Sequence, residues 1–130
     1  MAAIAGKGGS ARITASNTIV EVESWTADFD GGLVDSHSLG DSWGESTQTI
    51  KRLTATVNCR WDLPNDANGQ TALQTAAFNG TDVTDVRLYT NASNYYAGNA
   101  KVESFSVSEP VDDLVTITFN LRSEGAWTYN

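Results

Sequence analysis

Residues 52–61 read RLTATVNCRW, and this stretch decides the fold class. Apolar side chains occupy every second position, and the polar ones fill the positions between them. The two sets are Leu53, Ala55, Val57, Cys59 and Trp61 against Thr54, Thr56, Asn58 and Arg60. A period of two is typical of a β-strand with one face on a core and the other toward solvent or a neighbour. We therefore predict a strand over 47–61, with Cys59 as a small buried hydrophobe.

Strand-forming residues recur along the rest of the chain. Further strands are predicted over 19–29, 83–90, 95–108 and 114–122. In the first, apolar positions change sides between Val22 and Trp25, which indicates a bulge or a crossing between sheets. The segment SEPVDD, 108–113, is typical of a hairpin loop.

One helix is predicted, over DANGQTALQTAAFNG, 66–80. Asp66 can cap its start, Leu73, Ala76 and Ala77 form an apolar stripe, and Gly80 can end it. The predicted fold is mainly β: an antiparallel β-sandwich or barrel of about six or more strands with one flanking α-helix, in a single domain spanning 1–130.

Three segments lie outside these elements. Residues 1–10 are rich in Gly and Ala and predict a mobile arm, 30–46 predict a long inter-strand loop, and 123–130 predict a C-terminal tail. Aromatic residues on loops and tails suggest either sugar stacking or a protein interface. For Trp127, docking on a neighbour and packing on its own domain remain open, whereas Trp25 and Trp61 are expected in the core.

Composition limits the possible partners. The 130 residues carry a net charge of −8 with only eight Lys and Arg, which argues against tight binding of nucleic acid through its phosphates. A single cysteine forms no disulfide within the chain. The first residues lack the order of a signal peptide, and no segment has the length of a membrane span, so we expect no membrane anchor.

The loop segment DSHSLGDSW, 35–43, contains the chain's only histidine. An isolated Ser, His and Asp set is a weak signal for catalysis, and we expect no catalytic residue. Counted from Asp28, the fifth and twelfth positions are Gly32 and Leu39, so the EF-hand pattern fails. We predict no metal site and no cofactor, although weak calcium binding over 28–41 stays open. The predicted subunit-interface residues are Asp35, His37, Leu39, Asp41, Trp43, Trp127 and Tyr129.

Four parts of the sequence occur in a recognisable order: SWTADFDGG followed by VDSHSLGDSWGES, then TQTIKRLTATVNCRWD, then the helix GQTALQTAAFNG, and last the ending PVDDLVTITFNLRSEGAWTYN. In this layout the chain resembles the bacteriophage tail tube (major tail) protein family. The residues from Asp35 to Asp41 resemble a loop motif of that family, in which a Thr is more usual at the position of His37.

This resemblance implies a structural virion protein. Copies would form hexameric rings that stack into a hollow tube, with the loop between the early strands reaching a neighbouring subunit or ring. The implied partners are the tape-measure protein and the tail terminator and baseplate proteins, and DNA would pass through the lumen without specific binding. The chain would be made in the host cytoplasm and reside in the phage tail. The alternatives are a sugar-binding β-sandwich, a tail terminator or connector, and, least favoured, a small hydrolase using His37.

Overall fold

A computed structural model of the chain describes residues 9–14, 17–36, 38–40, 42–91 and 93–130. The strands are β1 (Ser10–Ile13), β2 (Asn17–Thr18), β3 (Val22–Asp30), β4 (Leu33–Asp35), β5 (Ser46–Gln48), β6 (Arg52–Arg60), β7 (Asp82–Tyr89), β8 (Tyr95–Ser108) and β9 (Thr116–Tyr129). The helix α1 spans Gln70–Asn79, after a 3-10 turn at Leu63–Asn65. No helix in the described ranges is long and apolar enough to cross a membrane.

Seven strands form one antiparallel sheet in the order β2-β1-β7-β8-β9-β6-β3, while β4 and β5 pair separately. The edge strands β2 and β3 are joined by residues 19–21 alone. In a flat sheet these edges would lie about 29 Å apart, whereas this connection spans at most about 14 Å. The sheet must therefore curl until its edges approach, which gives the predicted sandwich or barrel form.

The core lies inside the curled sheet and beneath α1. Ala55, Val57 and Cys59 are buried as the alternation in β6 predicts, beside Ile117 and Phe119 of β9. Burial, followed by the nearby carboxylates of Asp66 and Glu23, raises the pKa of the Cys59 thiol to about 12, which keeps it protonated and unreactive at neutral pH. The prediction of a core Trp61 was wrong, because β6 ends at Arg60 and the Trp61 side chain remains 41% exposed.

A buried polar network attaches the start of α1 to the sheet. The Gln70 amide nitrogen donates to the carbonyls of Val20, at 2.7 Å, and Arg60, at 2.9 Å, and its amide oxygen accepts from the Asp62 N–H. The Asp66 carboxylate accepts from the N–H groups of Val20 and Gln70. Asp66 thus serves the start of the helix as predicted, although the N-cap residue is Gly69, and the helix ends before Gly80 as expected. This Asp66–Gln70 network satisfies backbone groups where the sheet closes.

The remaining strand predictions concern one bulge and two boundaries. The register of β3 shifts between Val22 and Ser24, so the predicted bulge is confirmed. Two predicted strand boundaries were wrong. The strand predicted over 47–61 is two strands, β5 and β6, and the strand predicted over 114–122 continues to Tyr129.

The three segments predicted outside the strands need correction. The 30–46 loop holds strand β4 and joins β5 in a hairpin, because its Gly and Asp residues mark turns around short paired arms. The 123–130 tail is the second half of β9, paired with β8. Of the predicted 1–10 arm, residues 1–8 lie outside the described residues, and Ser10 already begins β1.

Candidate subunit interfaces

A two-stranded arm, the β4–β5 hairpin (31–51), extends from β3 and β6. Its register pairs Leu33 with Gln48 and Asp35 with Ser46, and the Ser36 N–H donates to the Glu45 carbonyl beyond them. At its root Gly32 has a φ of 64°, and a Cβ there would lie 2.2 Å from the Ile50 carbonyl oxygen, so only glycine fits. Backbone geometry thus defines both the direction and the pairing of the arm.

The hairpin exposes apolar side chains on both of its faces. Leu33 and Val34 are consecutive strand residues, so they point to opposite faces, and both are more than half exposed. At the tip, Leu39 is fully exposed and Trp43 is 85% exposed. An isolated two-stranded hairpin is marginally stable in water at best, and exposed apolar patches of this kind mark interaction sites. These features identify the hairpin as a candidate interface.

The predicted interface residues fall in two places. Asp35 ends β4, while Leu39 and Trp43 occupy the tip, so these three belong to one arm. His37 and Asp41 lie outside the described residues. Trp127 and Tyr129 lie in β9 rather than in a tail, and the structure does not bring them to the tip of their own hairpin.

The tip also contains the sequence GDSWG, 40–44, which has the spacing of a nucleophile elbow. An elbow requires a turn from a strand into a helix, whereas Ser42, Trp43 and Gly44 lie between the paired strands β4 and β5, with Ser42 exposed. Among the described residues, no group of three or more His, Cys, Asp or Glu side chains is placed to hold a metal ion. What the described tip residues present is exposed apolar surface, at Leu39 and Trp43.

The second half of β9 carries an aromatic cluster. Trp127 packs on Gly98 of β8, and its indole N–H donates to the Asn99 carbonyl at 2.9 Å. Tyr129 is 61% exposed and lies against Tyr96, with ring centroids 5.1 Å apart. Of the two readings left open for Trp127, the structure supports packing on its own domain, and Tyr129 remains available for contact.

The close approach of Gly98 and Trp127 gives a stability prediction. A Cβ at position 98 would lie 2.5 Å from Cγ and Cδ1 of Trp127. Gly98→Ala must therefore displace the ring and break its hydrogen bond, and we expect a loss of about 1–3 kcal/mol in the free energy of unfolding. Urea denaturation measures this loss. In a Trp127→Ala background the same change should be nearly neutral, and equal losses in both backgrounds would contradict the proposed clash.

An open groove of about 450 Å³, the β9 groove, lies between the hairpin root and the second half of β9. It is lined mainly by apolar side chains, with two cationic side chains beside them. The lining residues used below are Phe29, Leu53, Tyr96, Trp127 and Tyr129, with Lys51 and Arg52 beside them. Phe29 is 64% exposed, so the groove presents apolar surface that the described residues do not cover.

Comparisons with known proteins identify the family of this chain. A family model described as phage tail tube protein matches residues 9–129. The chain belongs to the phage tail tube protein family. The resemblance seen in the sequence is thereby confirmed, together with the structural role in a tail tube that it implied. A comparison with curated proteins gave no match.

Solved tail structures share the fold of this tail tube protein. A chain from the virion of a native gene transfer agent particle superposes with a TM-score of 0.84 at 16% identity, covering 98% of this chain and 99% of that one. A chain from the tail of an empty gene transfer agent particle, computed with C6 symmetry, gives 0.83 at 15% identity with the same coverage. The SPP1 tail tube gives 0.74 at 15% identity, covering 98% of this chain and 79% of that one.

The tail tube chain has a further surface on the outer face of β3, β6, β9 and β8. Small uncharged side chains cross these strands in hydrogen-bonded rows. One row runs from Ser24 through Asn58 to Thr118, and the next runs from Thr56 through Asn120 to Ser104. Part of the hydrogen-bonding capacity of this polar face is thus satisfied within the chain itself.

Sequence reasoning missed part of both interface regions. It did not select Leu33, Val34 and Ile50 of the hairpin, or Phe29 and Tyr96 of the groove. The consecutive pair Leu33 and Val34 was an available signal, because two adjacent apolar residues in a strand cannot both face one core. The groove had no comparable signal, since β3, β6, β8 and β9 build it together.

Proposed function

We propose that copies of this chain assemble into hexameric rings that stack into the hollow tube of a phage tail. Family membership supports the tube, and the symmetry of the solved gene transfer agent tail supports six copies in a ring. The observation that carries the proposal is the β4–β5 hairpin, whose exposed Leu39 and Trp43 have no core to join in their own chain. A protruding apolar arm is a device for contact between subunits.

The hairpin would make the contact with a neighbouring subunit or ring. Asp35, Leu39 and Trp43 are the proposed contact residues of this arm, and His37 and Asp41 are retained with them from the sequence alone. Trp is among the residues that dominate the energetics of protein interfaces, so Trp43 should contribute most. Tyr129 and Trp127 are the proposed contact residues of β9, and Tyr129 is the more exposed of the two.

The polar face would line the bore. Its Ser, Thr and Asn side chains carry no charge, and the net charge of −8 repeated around a ring repels phosphate. DNA would thus pass without specific binding, and a tape-measure protein would occupy the bore during assembly. Terminator and baseplate proteins would contact the two ends of the tube. The chain would be made in the host cytoplasm and would work without a cofactor or catalysis.

Negative-stain electron microscopy of the concentrated protein tests this function. We expect rings or tubes with a central hole, at a concentration threshold typical of self-assembly. At higher resolution, Thr56 and Asn120 should face the bore. A protein that remains monomeric at every concentration and salt condition would rule out self-assembly as proposed, and a polar face on the outer wall would rule out its role in the bore.

A further inference from the structure

Strand β9 has a free backbone edge beside the β9 groove. Strand β6 pairs with β9 only as far as Thr54 and Arg122, after which the chain leaves β6 for the hairpin. Beyond that point β9 continues to Tyr129 with β8 as its strand partner. On the other side only the Leu53 N–H, donating to the Ser123 hydroxyl, bridges the gap among the described residues. A free edge offers N–H and C=O groups to an incoming segment.

The side chains beside this edge are aromatic, which favours an apolar occupant. Phe29 and Tyr129 are each more than 60% exposed, and Tyr96 stacks on Tyr129 to form a continuous wall. Aromatic side chains of this kind are enriched at protein interfaces, because they bury a large area with few rotatable bonds. The groove is therefore suited to one or two large apolar side chains.

Two cations beside the groove define the charge of that occupant. Lys51 and Arg52 line the opening, and neither forms an ion pair with any described residue. The carboxylate nearest to them in the ladder is Asp30, which lies opposite Arg52 without forming an ion pair with it. The occupant should therefore bring carboxylates together with its apolar groups.

The tip of the β4–β5 hairpin has this chemistry. It presents Leu39 and Trp43, flanked by Asp35 and Glu45, which are exposed and form no ion pair within the described ranges. The tip does not occupy the groove of its own chain, because Leu39 and Trp43 are exposed and neither lines the groove. The matching partner is thus a second copy of the same chain.

We infer that the hairpin tip of one copy docks in the β9 groove of the next copy, with Leu39 and Trp43 against the aromatic wall and Asp35 and Glu45 near Lys51 and Arg52. This inference rests on the proposed function and names the surface that receives the hairpin. The hairpin tip and the β9 groove are different parts of one chain. When two copies make this contact, the groove of one copy and the tip of the other therefore remain free. The contact is therefore heterologous, and it propagates instead of closing on a pair.

Cysteine pairing tests this geometry without removing an anchor. Ser42 adjoins Trp43 at the tip, and Ala126 lines the groove; both are exposed, whereas the native Cys59 is buried. Under mild oxidation, Ser42→Cys or Ala126→Cys alone should give no dimer, and an equal mixture of the two should stop at dimers. A chain with both substitutions should give a ladder of dimers, trimers and larger species on a non-reducing gel.

The possible results separate the inference from the function beneath it. If the doubly substituted protein forms tubes by microscopy but gives no ladder, the inferred docking in the β9 groove is refuted and the proposed function stands. Dimers from Ser42→Cys alone would also refute the inferred docking, and would indicate a contact between two hairpin tips instead. Failure of the wild-type chain to form rings or tubes would instead refute the proposed function, and the inference with it.

Charge reversal at the two ends of β6 gives a second, matched measurement. Arg52 faces Asp30 across the β3–β6 ladder and adjoins the groove, whereas Arg60, at the far end, pairs with Glu23 at 3.3 Å. Arg52→Glu should raise the concentration needed for assembly about tenfold, and Glu45→Arg in the same chain should restore it. Equal effects of Arg52→Glu and Arg60→Glu, or no restoration, would overturn the proposed charge contact.

Discussion

Tubes should be lost when Leu39 and Trp43 are both replaced by serine, while the subunit itself stays folded. The two side chains are 106% and 85% exposed, so their removal opens no cavity, and the free energy of unfolding should change by less than about 0.5 kcal/mol. Burial of each in a neighbour contributes about 1.5–3 kcal/mol. The concentration needed for assembly should therefore rise on the order of 10²–10⁴-fold, as measured by sedimentation and electron microscopy.

The matched control keeps apolar groups at both positions. Leu39→Met with Trp43→Phe should retain assembly within about tenfold of the wild-type threshold, because volume and hydrophobicity are largely preserved. A serine variant that still forms tubes at the wild-type concentration would show that the hairpin tip contributes nothing to the free energy of assembly. Unfolding of the serine variant would instead show that the tip packs on its own domain.

Gln70→Ala should be the most damaging single change to the stability of the subunit. Gln70 is fully buried, and its amide serves the carbonyls of Val20 and Arg60 and the N–H of Asp62. Alanine leaves these three backbone groups without that partner, and each unsatisfied buried group costs about 1–3 kcal/mol. With partial replacement by water, we expect a loss of about 3–5 kcal/mol and a fall in Tm of roughly 10–20 °C by calorimetry.

Gln74 provides the control for this change. It lies one turn along the same helix and is only half-buried, so Gln74→Ala removes a glutamine from α1 without opening the Asp66–Gln70 network. We expect a change below about 0.5 kcal/mol. Because Ala has a higher helix propensity than Gln, propensity lowers the stability of neither variant. If the two variants lost equal stability, the loss would not come from the Asp66–Gln70 network, and the closure of the sheet would need another explanation.

The sequence predicted the fold class because the alternation in β6 and β9 is a local property. Val57 and Phe119 are buried where the period of two places them, and Tyr95–Ser108 was predicted to the residue. The helix was predictable for the same reason, since Leu73 and Ala76 follow its period. Such patterns are readable from the sequence because the polarity of each residue indicates which face of its strand or helix it occupies.

The errors arise where long-range pairing overrides local composition. Gly and Asp in 30–46 indicated a loop, but pairing of Leu33 with Gln48 makes a hairpin of its two ends. Residues 123–130 were predicted as a tail because they follow the strand predicted over 114–122, yet β8 holds 123–129 as a bulged strand, since the register shifts between Ala97 and Asn99. Leu33 and Gln48 are 15 residues apart, and β8 ends 15 residues before Ser123, so no short window of sequence reveals either pairing.

The continuity of the hairpin with β3 and β6 has a mechanical consequence. A pull on the tip passes through both arms into these two strands and then into the ladder between β6 and β9, from Thr54 and Arg122 to Arg60 and Thr116. The hydrogen bonds of this ladder lie across the direction of the pull, so the force loads them together in shear instead of opening them one at a time. A tail built on such contacts would carry tension from subunit to subunit through the β6–β9 ladder of each sheet.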